Sequence, residues 1–152
     1  MKEKTVTFFG HRDTPEKMEQ ILQPALIDLI EKEKATVFYV GNQGSFDVMV
    51  CRQLKILSKL YPIKYYVVLA YMPTDEYHSD LPTIFPEGTE AVPRRFAVDF
   101  RNKWMLDKAD FVVTCVSRCF GGAYRFKRMA EKKELRVIEL SDGVAQVGND
   151  PC

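Results

Sequence analysis

The chain has 152 residues, of which 46% are hydrophobic, 28% are charged and 12% are aromatic. This length suits one domain, and the apolar and aromatic content excludes an intrinsically disordered protein. No apolar run approaches the roughly 20 residues of a membrane-spanning helix, and nothing at the N-terminus resembles a signal peptide. We therefore expect a single cytoplasmic domain over 1–152, with its core over about 5–140 and a polar tail over 141–152 that frays.

Charged and metal-ligating side chains narrow the class of ligand. The net charge is only +1, but residues 94–136 carry 12 basic and 5 acidic side chains, a local excess of +7. Such a segment favours an anionic ligand, although a solvated helix face would explain most of its lysines equally well. The four cysteines form no C-x-x-C pair and no zinc spacing with the two histidines, so neither a metal nor a cofactor is predicted.

Hydrophobic periodicity predicts alternating strands and helices along the chain. The predicted elements are a strand at 5–9, a helix from 14 to about 30, a strand at 36–40, a helix at 48–60, a strand at 63–71, a helix at 96–108, a strand at 110–116, a helix at 122–133 and a strand at 136–140. Thr14 is the predicted N-cap of the first helix, and Pro24 should kink or break that helix. The run at 63–71 predicts a central strand buried on both faces, whereas 72–93 predicts a long irregular loop.

This alternation predicts a doubly wound α/β sheet of about five parallel strands with helices on both faces. In such a sheet, ligands bind outside the carboxyl ends of the strands, where the strand order reverses. Three predicted strands end there in glycine-containing turns, at 10–13, 41–47 and 117–124. Glycine permits close approach of the backbone to a ligand, and N–H groups at a helix start attract phosphate. Because neither G-x-G-x-x-G nor G-x-x-x-x-G-K-[ST] occurs, these turns indicate a phosphate-bearing ligand held without those motifs.

Several polar residues in these turns allow a functional and a structural interpretation. His11 is a catalytic base or ligand contact, or else makes a structural hydrogen bond. Arg12 holds a phosphate, or else pairs with Asp13 at the surface. Asp47 accepts a ribose hydroxyl or acts as a base, or else only stabilises a helix N-terminus.

The aromatic residues near the last turn also allow two interpretations, and the basic residues that follow allow a simple one. Tyr124 and Phe120 flank the double glycine, where they could stack on a base or pack against the sheet. We interpret the basic residues of the following helix as an exposed face without a chemical role; these are Lys127, Arg128, Lys132 and Lys133.

Four segments taken together carry a family resemblance: Phe9-Gly10-His11-Arg12, Gly41-Asn42-Gln43-Gly44-Ser45-Phe46-Asp47, Arg101-Asn102 and Gly121-Gly122-Ala123. They resemble the Smf/DprA–LOG (SLOG) superfamily, and in particular its small stand-alone proteins from bacteria and phages. The resemblance implies a Rossmann-like sheet that binds a nucleoside monophosphate, an ADP-ribose-like ligand or a cyclic nucleotide, as a sensor or sequestering domain. The implied ligand-binding residues are Gly10, His11, Arg12, Gly41, Asn42, Gln43, Gly44, Ser45, Asp47, Arg101, Asn102, Gly121, Gly122 and Tyr124.

The same resemblance leaves two other functions open. Phosphoribohydrolases of the superfamily carry P-G-G-x-G-T-x-x-E, but here the position of that glutamate holds Arg128. Cleavage of an N-glycosidic bond would then need Asp47 as the catalytic carboxylate. The turn at 44–47 and the arginines at 94, 95 and 101 are similar to those of the DNA-processing group, which binds single-stranded DNA. We also expect the domain to form a homo-oligomer.

Overall fold

A computed structural model describes residues 3–72 and 81–140, together with the backbone of 146 and 147, and shows one sheet covered by helices on both faces. The strands are β1 (Lys4–Gly10), β2 (Ala35–Val40), β3 (Lys64–Val68), β4 (Thr83–Ile84), β5 (Phe111–Cys115), β6 (Arg136–Glu139) and β7 (Gln146–Val147). Their order across the sheet is β4-β3-β2-β1-β5-β6-β7. Strands β1 to β6 run parallel, and β7 pairs antiparallel with β6.

Four helices connect successive strands and cover the two faces of the sheet. They are α1 (Glu19–Glu31), α2 (Ser45–Leu57), α3 (Ala97–Lys108) and α4 (Gly122–Lys132). Apolar residues of α1 and α2, such as Leu22 and Leu54, pack on one face. Residues of α3 and α4, such as Met105 and Phe126, pack on the other. None of the helices in the described part of the chain has the length and apolar character of a membrane span.

The strand order reverses beside β1. From β1 the chain builds β2, β3 and β4 outward on one side, and it then returns to place β5 and β6 on the other side. The carboxyl ends of β1 and β5 therefore border the crevice in which doubly wound sheets bind ligands.

The predicted doubly wound parallel sheet is confirmed, with six parallel strands instead of five. The additional parallel strand, β4, has only two residues and lies inside the predicted irregular loop, which also holds the 3-10 helix Thr89–Ala91. A second 3-10 helix, Arg94–Phe96, follows the loop and leads into α3. The prediction that the third strand is central was wrong. That strand lies next to the edge strand β4, and its residues Tyr65 and Tyr66 are only half-buried.

The first helix also differs from its prediction. Thr14 does not cap it, because its hydroxyl donates to the carbonyl of His11 at 2.7 Å and a 3-10 turn (Glu16–Met18) precedes α1. Pro24 lies within α1 without breaking it. Residues 73–80 of the predicted loop, and the predicted tail apart from the backbone of β7, lie outside the described residues.

Candidate functional site

A pocket of about 300 Å³ opens at the carboxyl ends of β1 and β5, at the reversal of strand order. The predicted turns meet there with the beginning of α3. Of the predicted ligand-binding residues, the pocket is lined by Gly10, His11, Arg12, Gly41, Gln43, Asp47, Arg101, Asn102, Gly121 and Gly122. The structure thus brings together residues that lie up to 112 positions apart in the sequence.

The first glycines of the site make room for protein side chains and not for a ligand. A Cβ added to Gly10 would lie 2.3 Å from the ring of Phe46, and one on Gly41 would lie 2.8 Å from Nη1 of Arg101. Gly44 has φ +106°, and its Cβ would lie 2.6 Å from Cα of Arg12. Side chains at these positions would collide with the loop or the core, so glycine here sets the packing of the turns.

Gly121 and Gly122 differ from those three glycines because open space faces them. A Cβ on either residue would meet nothing within 4 Å. Gly121 has φ +95° and is the N-cap of α4, and Gly122 is the first residue of that helix. The free backbone N–H groups at this helix start border the pocket, and such groups bind anions.

Three arginines line the same pocket and give it positive charge; they are Arg12, Arg101 and Arg118. Arg12 is exposed, and its Nη2 donates to Oε1 of Gln43 at 3.3 Å. Arg101 is 1% exposed, and its Nη1 donates to the carbonyl of Val68 at 2.9 Å and to Oδ1 of Asn42 at 3.3 Å. Burial lowers the pKa of Arg101, while the nearby Asp47 opposes that shift.

Asp47 is the only carboxylate among the residues that line this pocket in the described part of the chain. It is 9% exposed in the first turn of α2, and its Oδ2 accepts the backbone N–H of Gln43 at 2.8 Å. Burial raises the pKa of Asp47 to about 6, although the Gln43 hydrogen bond and the Arg101 charge act in the opposite direction. A carboxyl group that titrates near neutral pH is suited to general acid or base chemistry.

The raised pKa of Asp47 predicts a pH-dependent effect of Asp47→Asn. In the folded wild type, this group keeps its proton up to a pH of about 6, whereas the ordinary value is 3.8. The protonated Asp47 therefore contributes to the free energy of unfolding of the wild type. This contribution is fully present below pH 3.8 and is lost as the pH rises through about 6. We expect the stability difference, variant minus wild type, to rise by about 3 kcal/mol from pH 3 to pH 8. Urea unfolding at both pH values measures it, and a constant difference would contradict the raised pKa.

The remaining predicted residues surround the pocket. The hydroxyl of Ser45 lies 2.8 Å from the carbonyl oxygens of Arg12 and Thr14, so it holds the β1–α1 loop against α2. Tyr124 is half-buried on α4, outside the residues that line this pocket. The exposed Arg128 pairs with Glu131 at 3.2 Å at the position where phosphoribohydrolases have their glutamate.

Two solved structures of known proteins are similar to this chain in fold. No family model matches the sequence, and a search of curated proteins found no match. DNA processing protein A from Streptococcus pneumoniae superposes with a TM-score of 0.67 over 93% of this chain and 54% of its own, at 15% identity. The chain has the fold of DNA processing protein A. The single-stranded DNA-binding DNA processing protein A from Helicobacter pylori has a TM-score of 0.55 over 90% of this chain and 64% of its own, at 16% identity.

The two structural matches confirm the Rossmann-like α/β fold that the resemblance implies. This chain spans 54% and 64% of the lengths of the two DNA processing proteins that it matches. The activities of those longer proteins are therefore not carried over with the fold.

Within this DNA processing protein A fold, Arg118 is a site residue that we did not single out from the sequence. Its guanidinium makes a two-pronged ion pair with Asp13, with distances of 2.8 Å and 2.9 Å. Its backbone N–H donates to Nε2 of His11 at 3.3 Å, and burial together with the Arg118 charge lowers the pKa of His11. The neutral His11 ring therefore links the loop after β1 to the loop after β5.

Lys127 corrects our interpretation of α4. It was expected on an exposed face, but its side chain is 1% exposed, and its Nζ lies 3.0 Å from Oε1 of Glu139 on β6, which is equally buried. The other carboxylate oxygen of Glu139 accepts the backbone N–H of Val116 at 2.9 Å, and Thr114 donates its hydroxyl to Oε1 at 2.6 Å. This buried pair anchors the beginning of the loop that carries Arg118 and Gly121.

Proposed function

We propose that this domain binds a nucleotide or nucleotide-derived ligand through a phosphate group in the pocket between β1 and β5. The observation that carries the proposal is the open helix start at Gly121 and Gly122, which shares its pocket with three arginines. Free N–H groups at a helix start, together with the exposed guanidinium of Arg12 in the same pocket, are suited to a phosphate.

Each polar residue of the pocket has a place in this proposal. The phosphate lies at Gly121 and Gly122, and Arg12 at the mouth neutralises it while keeping an exposed side chain. Arg101 adds positive charge from the floor and holds Asn42 and Val68 in position. Asp47 accepts a ribose hydroxyl, since carboxylates serve that role in related sheets.

A thermal unfolding experiment with a nucleotide panel tests the proposal. The panel contains AMP, IMP, ADP-ribose, NAD and several cyclic dinucleotides. A ligand at 100 times its Kd should stabilise the protein by about 2.7 kcal/mol, which is visible as a rise in Tm. A flat panel for the wild type would overturn the nucleotide proposal.

The variant Arg12→Ala tests whether the nucleotide binds in this pocket. We expect it to weaken nucleotide binding about tenfold or more, because a charge-assisted hydrogen bond contributes about 1.5–3 kcal/mol. Arg136→Ala is the matched control, since Arg136 is an exposed arginine outside the residues that line this pocket. Equal affinities of the two variants and of the wild type would place the nucleotide elsewhere.

Single-stranded DNA is a second candidate ligand, favoured by the fold match to the DNA-binding Helicobacter pylori protein. A strand would present a backbone phosphate to the same helix start, so its recognition uses the same chemistry. Affinity for an oligonucleotide should then fall steeply as salt concentration rises, because binding releases counterions from the strand. An affinity for DNA that does not change between 50 and 200 mM salt would exclude this candidate.

A further inference from the structure

A second cavity lies directly beside the proposed phosphate pocket. Its volume is about 750 Å³, and it is bounded by the loop after β1, the first turns leading into α1 and the loop after β5. His11 and Arg118 line both cavities, so these two residues form a shared wall. We call this second space the α1 cavity.

The two cavities differ in volume. Small-molecule sites occupy about 300–1,000 Å³, and the phosphate pocket, at about 300 Å³, lies at the bottom of that range. It has space for a phosphate and its sugar but leaves the remainder of a larger ligand outside. The α1 cavity adjoins it and has more than twice the volume.

The lining of the α1 cavity is suited to a second nucleoside and its phosphate. Met18 and Ile21 supply apolar surface of the kind that packs against a base. Lys17, which is exposed at the rim, supplies a cation for a second phosphate. Asp13 is the acidic member of the lining, and its charge is already paired with Arg118.

We propose that the α1 cavity binds the second unit of a ligand whose first phosphate lies at Gly121 and Gly122. The preferred ligand is therefore two nucleotide units joined by a phosphodiester, either as a free dinucleotide or as a step of a nucleic acid strand. This inference rests on the proposed function, because it places the first phosphate in the pocket described above. It adds a second, separately mutable subsite on the opposite side of the His11–Arg118 wall.

Calorimetric titration of the full chain with AMP and with the 5′-phosphorylated diadenylate pApA tests the inference. We expect pApA to bind about tenfold more tightly than AMP. Ile21→Trp fills the α1 cavity, so it should remove this preference and leave AMP affinity within about twofold of wild type. Ile56→Trp, at an exposed position on α2, is the matched control and should keep the preference.

Lys17→Glu provides a test that does not depend on repacking around a tryptophan, because Lys17 is exposed. It should reduce the affinity for pApA selectively, and Lys59→Glu at a remote exposed position should not. AMP binding with no preference for pApA in the wild type, or a preference that survives both cavity variants, would overturn the α1 cavity and leave the phosphate pocket standing. Failure of both AMP and pApA to bind would overturn this inference, whereas the proposed function is overturned only if the whole nucleotide panel also leaves the Tm unchanged.

A third titration distinguishes the two sources of a dinucleotide. A 12-residue oligoadenylate without a terminal phosphate should bind more tightly than pApA if the natural ligand is a strand. Weaker binding of that oligonucleotide identifies a free dinucleotide. In both cases Ile21→Trp should weaken the tighter ligand, and an unchanged affinity would contradict the assignment of the α1 cavity.

Discussion

Replacing Lys127 by methionine should lower the free energy of unfolding by about 3–5 kcal/mol, because the change removes a lysine cation that pairs with a buried carboxylate. Both side chains of the Lys127–Glu139 pair are 1% exposed, so water cannot replace the lost partner. Glu139 would keep its hydrogen bonds from Thr114 and Val116, but neither donor supplies a full positive charge. Methionine has nearly the same length as the lysine stem, so the effect is one of charge more than of volume.

Urea unfolding of the variant and of Lys132→Met checks this expectation. Lys132 is an exposed lysine on the same helix, and its substitution should change stability by no more than about 0.5 kcal/mol. A further variant, Lys127→Met with Glu139→Gln, removes both charges and should recover part of the loss. If Lys127→Met and Lys132→Met had equal midpoints, the pair would not contribute to stability in the way that its burial indicates.

The buried lysine shows which features the sequence could not reveal. The basic residues of α4 have the composition of a solvated face, and we interpreted Lys127 together with them. Its position alone differs from theirs, because it lies four residues after Ala123 and three before Ala130, on the apolar stripe of the helix. Its partner Glu139 is on β6, and the packing of α4 on the sheet brings the two together. Arg118 depends in the same way on Asp13, which is 105 residues earlier in the chain.

The fold was predictable because its signal is local and repeated. Alternating strand and helix periods recur through the chain, and each crossover between parallel strands has only one favoured hand. The two-residue strand β4 is too short to produce such a period, and the position of β3 in the sheet depends on whether β4 pairs with it.

The glycine turns were predictable as a group, but the role of each glycine was not. A sequence shows where glycine occurs, and only packing shows what occupies the space beside it. Gly41 and Gly44 are crowded by Arg101 and Arg12, whereas Gly121 and Gly122 face open space. The first two therefore shape the protein, and the latter two are available to a ligand.

Replacing Gly122 by aspartate should weaken nucleotide binding about 100-fold or more and leave the fold intact, because it places a like charge where the phosphate is proposed to lie. Gly122 has no restrictive positive φ, and a Cβ there would meet nothing within 4 Å, so an aspartate side chain is accommodated. An acidic residue in the first turn of α4 also interacts favourably with the helix dipole, which contributes about 0.3–1 kcal/mol. The Tm without ligand should therefore be equal to that of the wild type or slightly higher.

Gly122→Asn separates the effect of charge from the effect of size, since asparagine has the shape of aspartate without its charge. We expect it to weaken binding by less than about tenfold, measured by calorimetry with the tightest ligand of the nucleotide panel. Equal losses of affinity in the two variants would mean that the size of the new side chain, and not its charge, weakens binding. The part of the ligand beside Gly122 would then not be an anion. If neither variant lost affinity, the phosphate would lie away from α4. Loss in Gly122→Asp alone, with the Tm retained, would show that the helix start binds the negative charge of the ligand.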